Sequence, residues 1–173
     1  MTLTGQNICL RAPEPEDIEK LYQWENDPAV WHLSNTLAPY SRFDIEQYVL
    51  TAARDLLSAR QLRLMIVLRE NSQAIGAIDL FEYDPLHRRA GTGILLDSTE
   101  RNKGYGTEAL QLVIDYCFEI LNLHQMYASI TTDNTTSIKM FEKQGFVKTG
   151  TKRHWLLQND EWKDEQFYQL IRA

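Results

Sequence analysis

The chain has 173 residues, 43% of them apolar and 24% charged, which excludes wholesale disorder and suits one compact domain over residues 1–173. Eighteen Lys and Arg against 24 Asp and Glu leave a formal charge of −6. That balance disfavours a nucleic-acid binder, which needs a basic surface, and is compatible with handling a cationic small molecule. Cys9 and Cys117 have no second Cys or His at metal-ligand spacing. They read as small core residues of a reducing compartment, with neither a disulfide framework nor a metal site expected. Met1 to Leu10 has no charged segment leading into an apolar one, and the longest wholly apolar run, Leu64 to Leu68, is far too short for a membrane span. The expectation is a cytoplasmic protein without membrane partners.

Ile8 to Arg11 is the first strand candidate. Pro13, Glu14, Pro15, Glu16 and Asp17 then open a helix, because Pro and acids suit a first turn. Ile18, Leu21, Tyr22, Trp24 and Glu25 carry its face, and Asn26-Asp27-Pro28 ends it. Ser41 with Asp44 begins a second helix predicted to reach about Ala59, with Ile45, Tyr48, Val49, Ala52 and Leu56 at helical spacing. Strands follow at Leu62–Leu68, Ala74–Tyr83 and Ala90–Leu96, the first two separated by a turn at Glu70-Asn71-Ser72-Gln73. Gly104 to Leu121 is the longest helix candidate, with Ala109, Leu112, Val113, Tyr116, Cys117 and Ile120 on its face. Met126–Thr131 is a strand, Thr136–Gln144 a short helix and Phe146–Leu157 another strand, and Trp162–Ile171 closes the chain as a hairpin around Asn159-Asp160-Glu161. An antiparallel meander followed by strand–helix alternation implies an α/β layered domain, a mixed sheet with helices on both faces.

The segment richest in chemistry runs from Ile94 to Ala109. A strand ending in Ile94-Leu95-Leu96 enters a loop, Arg101-Asn102-Lys103-Gly104-Tyr105-Gly106-Thr107, from which a long helix leaves. Glycines allow close backbone approach to a ligand. The first turn of a helix offers free N–H groups and a positive dipole end. Arg101 and Lys103 add two cations, so the loop suits a phosphate-bearing ligand. Gly104-x-Gly106-x-x-Ala109 also fits the dinucleotide pattern. However, the acid that a nucleotide-cofactor oxidoreductase needs about 20 residues on is missing from His124 to Ser129.

Arg101-x-x-Gly104-x-Gly106 after a strand resembles the R/Q-x-x-G-x-G/A signature of the GNAT superfamily of N-acetyltransferases. Asn134-x-x-Ser137-x-x-x-Phe141-Glu142-Lys143-x-Gly145-Phe146 resembles that family's second signature, in the right order. In appearance the chain is closest to the bacterial spermidine/spermine N-acetyltransferases and the ribosomal-protein N-terminal acetyltransferases. His87-Arg88-Arg89-Ala90 and Asn122-Leu123-His124 lean towards the first. The resemblance implies a mostly antiparallel sheet with one splayed parallel pair, acetyl-CoA as donor, a small-molecule amine as acceptor and self-association into a homo-oligomer. It also assigns roles. Ile94, Leu95 and Leu96 would pair with the pantetheine arm. Arg101, Asn102, Lys103, Gly104, Tyr105, Gly106 and Thr107 would hold the pyrophosphate. Asn134, Phe141 and Lys143 would line the remaining cofactor side.

Acetyl transfer to an alkyl amine needs a proton acceptor, because such amines, with a pKa of about 10.4, arrive protonated. Asp79 and Glu82 are the candidates, acids in an otherwise apolar strand. Three residues apart, they share a face only if a bulge intervenes. Phe141 stands where the family often has a tyrosine, the proposed general acid, so another donor (water, Tyr83 or Tyr105) or none would serve. Trp24, Trp31 and His32 are candidate acceptor-pocket residues or core packing, and Trp31 to Phe43 contains no acid, which weakens polyamine specificity. A peptide N-terminal acetyltransferase and a catalytically weak CoA- or polyamine-binding sensor remain open as alternatives.

Overall fold

A computed structural model describes residues 3–28, 37–51 and 56–173. One seven-stranded sheet runs through it, in the order β1-β2-β3-β4-β5-β7-β6. The strands are β1 Ile8–Arg11, β2 Leu62–Leu68, β3 Ala74–Asp84, β4 Arg89–Leu96, β5 Gln125–Thr131, β6 Val147–Gln158 and β7 Glu161–Ile171. All neighbours pair antiparallel except β4 and β5, which are parallel. The expected mixed α/β sheet and its parallel pair are therefore present, and the predicted strand boundaries hold to within a residue or so.

The continuous apolar run in β2 has a direct cause. Leu64, Ile66 and Leu68 face one buried cluster, and Met65 and Val67 face another on the opposite side. A strand covered on both faces has no reason to alternate apolar with polar residues. On one face lie helices α1 Ile18–Glu25 and α2 Arg42–Thr51, which bury Leu21, Trp24, Ile45 and Val49. α1 is preceded by a 3₁₀ turn at Pro15–Asp17, and Ser41 and Asp44 form reciprocal capping bonds before α2. A short helix, α3 Leu56–Ala59, precedes β2. The predicted continuity of α2 and α3, including Ala52, lies outside the described residues, as do Trp31 and His32.

On the other face lie α4 Tyr105–Asp115 and α5 Thr135–Lys143. α4 buries Ala109, Leu110, Val113 and Ile114, and runs on into a π-helical turn, Tyr116–Ile120, where an unbroken α-helix was predicted. The wider turn brings Leu121 N–H to the carbonyl of Tyr116. Tyr116, Phe118 and Leu121 all pack on the core there. Cys117 is fully buried, and burial pushes its thiol up to about 12.

Candidate active site

The parallel pairing of β4 with β5 is short. Arg89, Ala90 and Gly91 pair with Gln125, Met126 and Tyr127, and the two strands then diverge. From Thr92 onward, β4 has β3 on one side and a wedge-shaped cleft of about 140 Å³ on the other. Thr92, Gly93 and Ile94 line it from β4, Ala128 to Thr131 from β5, and Asn134, Ser137 and Phe141 from α5 and its cap. This is the splayed pair that the resemblance implies, with free strand backbone available to a thin, extended ligand.

Beyond Leu96, the loop reaches α4. Gly104 caps the helix with φ +89°, a left-handed conformation that glycine adopts without strain, and a Cβ there would meet nothing within 4 Å. The space beside the loop is thus open to a ligand. The first N–H to find a helical carbonyl is that of Glu108, bonded to Gly104 at 3.1 Å. The N–H groups of Tyr105, Gly106 and Thr107 therefore form the anion-binding end of the helix. The two cations are partly engaged. Lys103 pairs with Glu100 at 3.0 Å, and Arg101 Nε donates to the Leu96 carbonyl at 3.2 Å. Asn102 is left-handed at φ 62°, which Asn tolerates.

Gly106 has a different role from Gly104. It is buried, and a Cβ would stand 3.0 Å from Met140 Sδ and 3.2 Å from Leu96 Cδ1. Its missing side chain lets α4 sit close to β4 and α5. Tyr105 borders a separate groove with Gln6, Asn7 and Leu68, and Tyr83 is buried in the core. Neither lines the wedge, so neither replaces the missing tyrosine hydroxyl there. Phe141 lies 5.0 Å edge-on from Phe146 and is 3% exposed. Asn134 caps α5, accepting the Ser137 N–H at 3.2 Å, and also borders the wedge. Lys143 is exposed at the last turn of α5.

The opposite face of the sheet carries the acids. Pairing of β3 with β4 shifts between Phe81 and Asp84, and Glu82 is left-handed at φ 49°. This is the bulge that a shared site requires. Phe81, opposite Gly91, lies edge-on to Tyr127, and the Tyr127 hydroxyl donates to Glu82. Burial and that bond hold the Tyr127 phenol well above its usual range. Tyr127 also stacks on Phe167 at 5.3 Å. Glu82 is thereby drawn to the face that holds Asp79, beside the residue where the wedge opens.

Asp79 is already engaged. Arg63, opposite it on β2, donates to both its oxygens, at 2.7 and 2.8 Å, and also to Glu25. Burial alone would depress Arg63, but the charges of Asp79 and Glu25 more than offset it and hold the guanidinium well above its ordinary value. A cavity of about 390 Å³ adjoins this trio and is lined also by Tyr40, Asp44, Tyr48 and Phe81. Trp24 is not part of it. Its ring is buried, with Nε1 donating to Asp97 at 2.6 Å. Sequence reasoning missed Arg63, Glu25, Phe81, Tyr127 and Thr92.

A parallel strand pair opening into a wedge, with a helix start at one end and carboxylates across the sheet, is an arrangement that suits an enzyme transferring an acyl group from an extended donor. A family profile described as "Acetyltransferase (GNAT) domain" matches residues 7–147. The chain is 30% identical, over 99% of its length and 96% of the relative's, to an uncharacterised N-acetyltransferase, p20, of Bacillus licheniformis. It is 27% identical to the spermidine N(1)-acetyltransferase of Escherichia coli K12, over 93% of this chain and 84% of that one. The crystal structure of spermidine N-acetyltransferase from Vibrio cholerae in complex with CoA and spermine superposes with a TM-score of 0.85. That likeness, at 23% identity over 96% of each chain, is one of fold. The chain belongs to the GNAT acetyltransferase family. It is an N-acetyltransferase, and its acyl donor is acetyl-CoA. Among the described residues, no helix is long and apolar enough to cross a membrane.

Proposed function

We propose that this enzyme, a single domain over residues 1–173 working in the cytoplasm, acetylates a primary amine of a small cationic molecule, with a polyamine as the first choice. The observation that carries the reading is the bulge at Glu82, which sets a second carboxylate on the acceptor face beside the wedge. Three carboxylates, Glu25, Asp44 and Asp79, line the neighbouring cavity against one guanidinium, that of Arg63. An excess of negative charge there attracts a cationic amine. Relatives named as spermidine N-acetyltransferases add support.

In this reading, the N–H groups of Tyr105 to Thr107, aided by Arg101, Asn102 and Lys103, hold the donor's pyrophosphate. The backbone groups of Ile94, Leu95 and Leu96 that are turned away from β3 bond its pantetheine arm, and Asn134, Phe141 and Lys143 border the same side. The amine nitrogen attacks the acetyl carbonyl from the acceptor face. Glu82, through a water, takes the ammonium proton, while the sulfur leaves with the carbon–sulfur electron pair. Asp79, held by Arg63, supplies negative charge to position the amine and is not the base.

The test is thiol release from acetyl-CoA against spermidine, spermine, an aminoglycoside and peptides with free N-termini, with CoA binding followed by calorimetry. Turnover is expected with the polyamines, and Glu82→Gln is expected to lower kcat about 10²-fold or more while leaving CoA affinity unchanged. Turnover confined to peptides would replace this reading with N-terminal acetylation. CoA binding without turnover on any amine would replace it with a sensor.

A further inference from the structure

Thr92 is 2% exposed, and its Oγ1 is one of two buried side-chain polar atoms without a hydrogen-bond partner among the described residues. A hydroxyl in that state destabilises a fold, and an apolar group of the same shape would not. Thr92 also sits at a particular place. It is the first β4 residue after Gly91, where pairing with β5 stops, and it lines the wedge at its closed end. On β3 it faces Leu80, a residue of the core cluster beneath α4, so its side chain lies on the helix α4–α5 side of the sheet, opposite to the acids. Phe141, beside it, has no donor, and the donors Asn134 Nδ2 and Ser137 Oγ border the wedge from α5 and its cap without being, as Thr92 Oγ1 is, buried and unpartnered.

The direction of the donor follows from its two ends. With the pyrophosphate at the start of α4, beyond Leu96, the arm runs back along β4. Thr92 to Leu96 spans about 13 Å at the rise of a β-strand. The acyl end of an extended arm then comes to the closed end of the wedge. We infer that Thr92 Oγ1–H donates to the thioester sulfur of acetyl-CoA and to the thiolate which that sulfur becomes. The inference rests on the proposed placement of the pyrophosphate at the Arg101–Thr107 loop. In the step, the nitrogen–carbon bond forms, the carbon–sulfur bond breaks and the electron pair goes to sulfur. The ammonium proton goes to the acceptor-side base. Thr92 keeps its own proton and only shares it, since hydrogen bonds to a charged acceptor are stronger than those to a neutral one.

The experiment titrates the thiol of CoA bound to saturated enzyme, by thiolate absorbance, in wild type, T92V, T92A and T92S. Losing a hydrogen bond to a charged sulfur should raise the bound thiol's pKa by about one to two units, tenfold to a hundredfold in the thiolate equilibrium. T92V and T92A should show that rise and a kcat lower by a similar factor, with CoA affinity at pH 6 unchanged. T92S should titrate with wild type. Apo T92V should melt at or above the wild-type temperature, because it removes an unpartnered hydroxyl. Titration of T92V together with wild type would overturn the inference, and so would a T92S as impaired as T92V, which would trace the effect to the methyl group. Unchanged CoA affinity in Gly104→Val, read by calorimetry, would overturn the loop placement instead, and that reading is independent of the thiol titration.

Discussion

Asp79→Asn separates a structural acid from a catalytic one. Arg63 holds Asp79 by two bonds, Nε to Oδ1 at 2.7 Å and the second nitrogen to Oδ2 at 2.8 Å, with side-chain exposures of 22% and 32%. The guanidinium also pairs with Glu25 and lies 5.7 Å from the Tyr48 ring. Asparagine keeps one acceptor oxygen and turns an NH₂ donor towards a donor. It thus loses the charge and one of the two bonds. Breaking a fully buried pair costs about 3–5 kcal/mol, and a single hydrogen bond to a charged group is worth about 1.5–3 kcal/mol. Solvent reaching Asp79 lowers the first figure, and Glu25 remains to neutralise Arg63, so about 2 kcal/mol is the expected loss. For a chain of this size, that moves the midpoint of thermal unfolding down by about 4–8 °C.

Thermal unfolding and steady-state kinetics, measured on the same preparation, read both sides of this. The expected result is the lower melting temperature, a raised KM for the amine and a kcat within about tenfold of wild type at saturation. A variant that melts within about 1 °C of wild type would refute the energetic argument. A kcat reduced more than that of Glu82→Gln would make Asp79 the base and refute the division of labour drawn between the two acids.

The two loop glycines should fail differently. Gly104→Val forces a β-branched residue to φ +89°, where only Gly sits without strain, into space that is otherwise open, so loss of CoA affinity by calorimetry should exceed loss of stability. Gly106→Val drives its side chain into Met140 and Leu96, so lowered thermal stability should dominate. Glu108 ties α4 to β1 by accepting from Asn7 N at 2.8 Å, Asn7 Nδ2 at 3.0 Å and Ile8 N at 3.4 Å. Burial would raise its pKa, but those bonds outweigh it and hold the carboxyl below its ordinary 4.5. A depressed carboxyl contributes stability that is present above its unfolded value and lost as pH falls through its folded one. The melting difference between wild type and Glu108→Gln should therefore be full near neutrality and shrink below about pH 4.5, and a difference that grew on acidification would refute it.

The strands were legible because β-pairing leaves strong local marks: turn residues at Glu70 to Gln73, apolar runs, and glycines next to Thr92. The wedge was legible only through the family resemblance, because parallel pairing of Ala90 with Met126 links residues far apart in the chain. Arg63 was missed for a physical reason. The predicted turn, Glu70 to Gln73, is centred between Asn71 and Ser72, and a regular hairpin about it would set Arg63 opposite Leu80. The observed register, which slips between Ile66 and Val67, sets it opposite Asp79 instead. The bulge at Glu82 has no local signal either, since glutamate is not a residue that favours a left-handed backbone. Local backbone strain of this kind gathers where function holds it in place.

The alternation of β4 shows why a glycine–threonine–glycine run suits this position. Gly91 and Gly93 face the acids, and the Phe81 ring lies over both. A Cβ at Gly91 would stand 2.2 Å from the ring, and one at Gly93 would stand 3.8 Å from it. The ring can lie against the strand only because Gly91 is bare, a Cβ at Gly93 being at ordinary contact distance, and it then meets Tyr127 across Gly91 at 6.0 Å. Thr92, between them, points the other way by the period of a strand. In the proposed reaction, one tripeptide thus presents a flat aromatic wall to the side from which the amine would come and a hydroxyl to the side towards which the sulfur would leave. Substituting Gly91 with alanine would displace the ring and loosen the Tyr127–Glu82 pair without touching Thr92, so the proton acceptor should be affected and the leaving group should not.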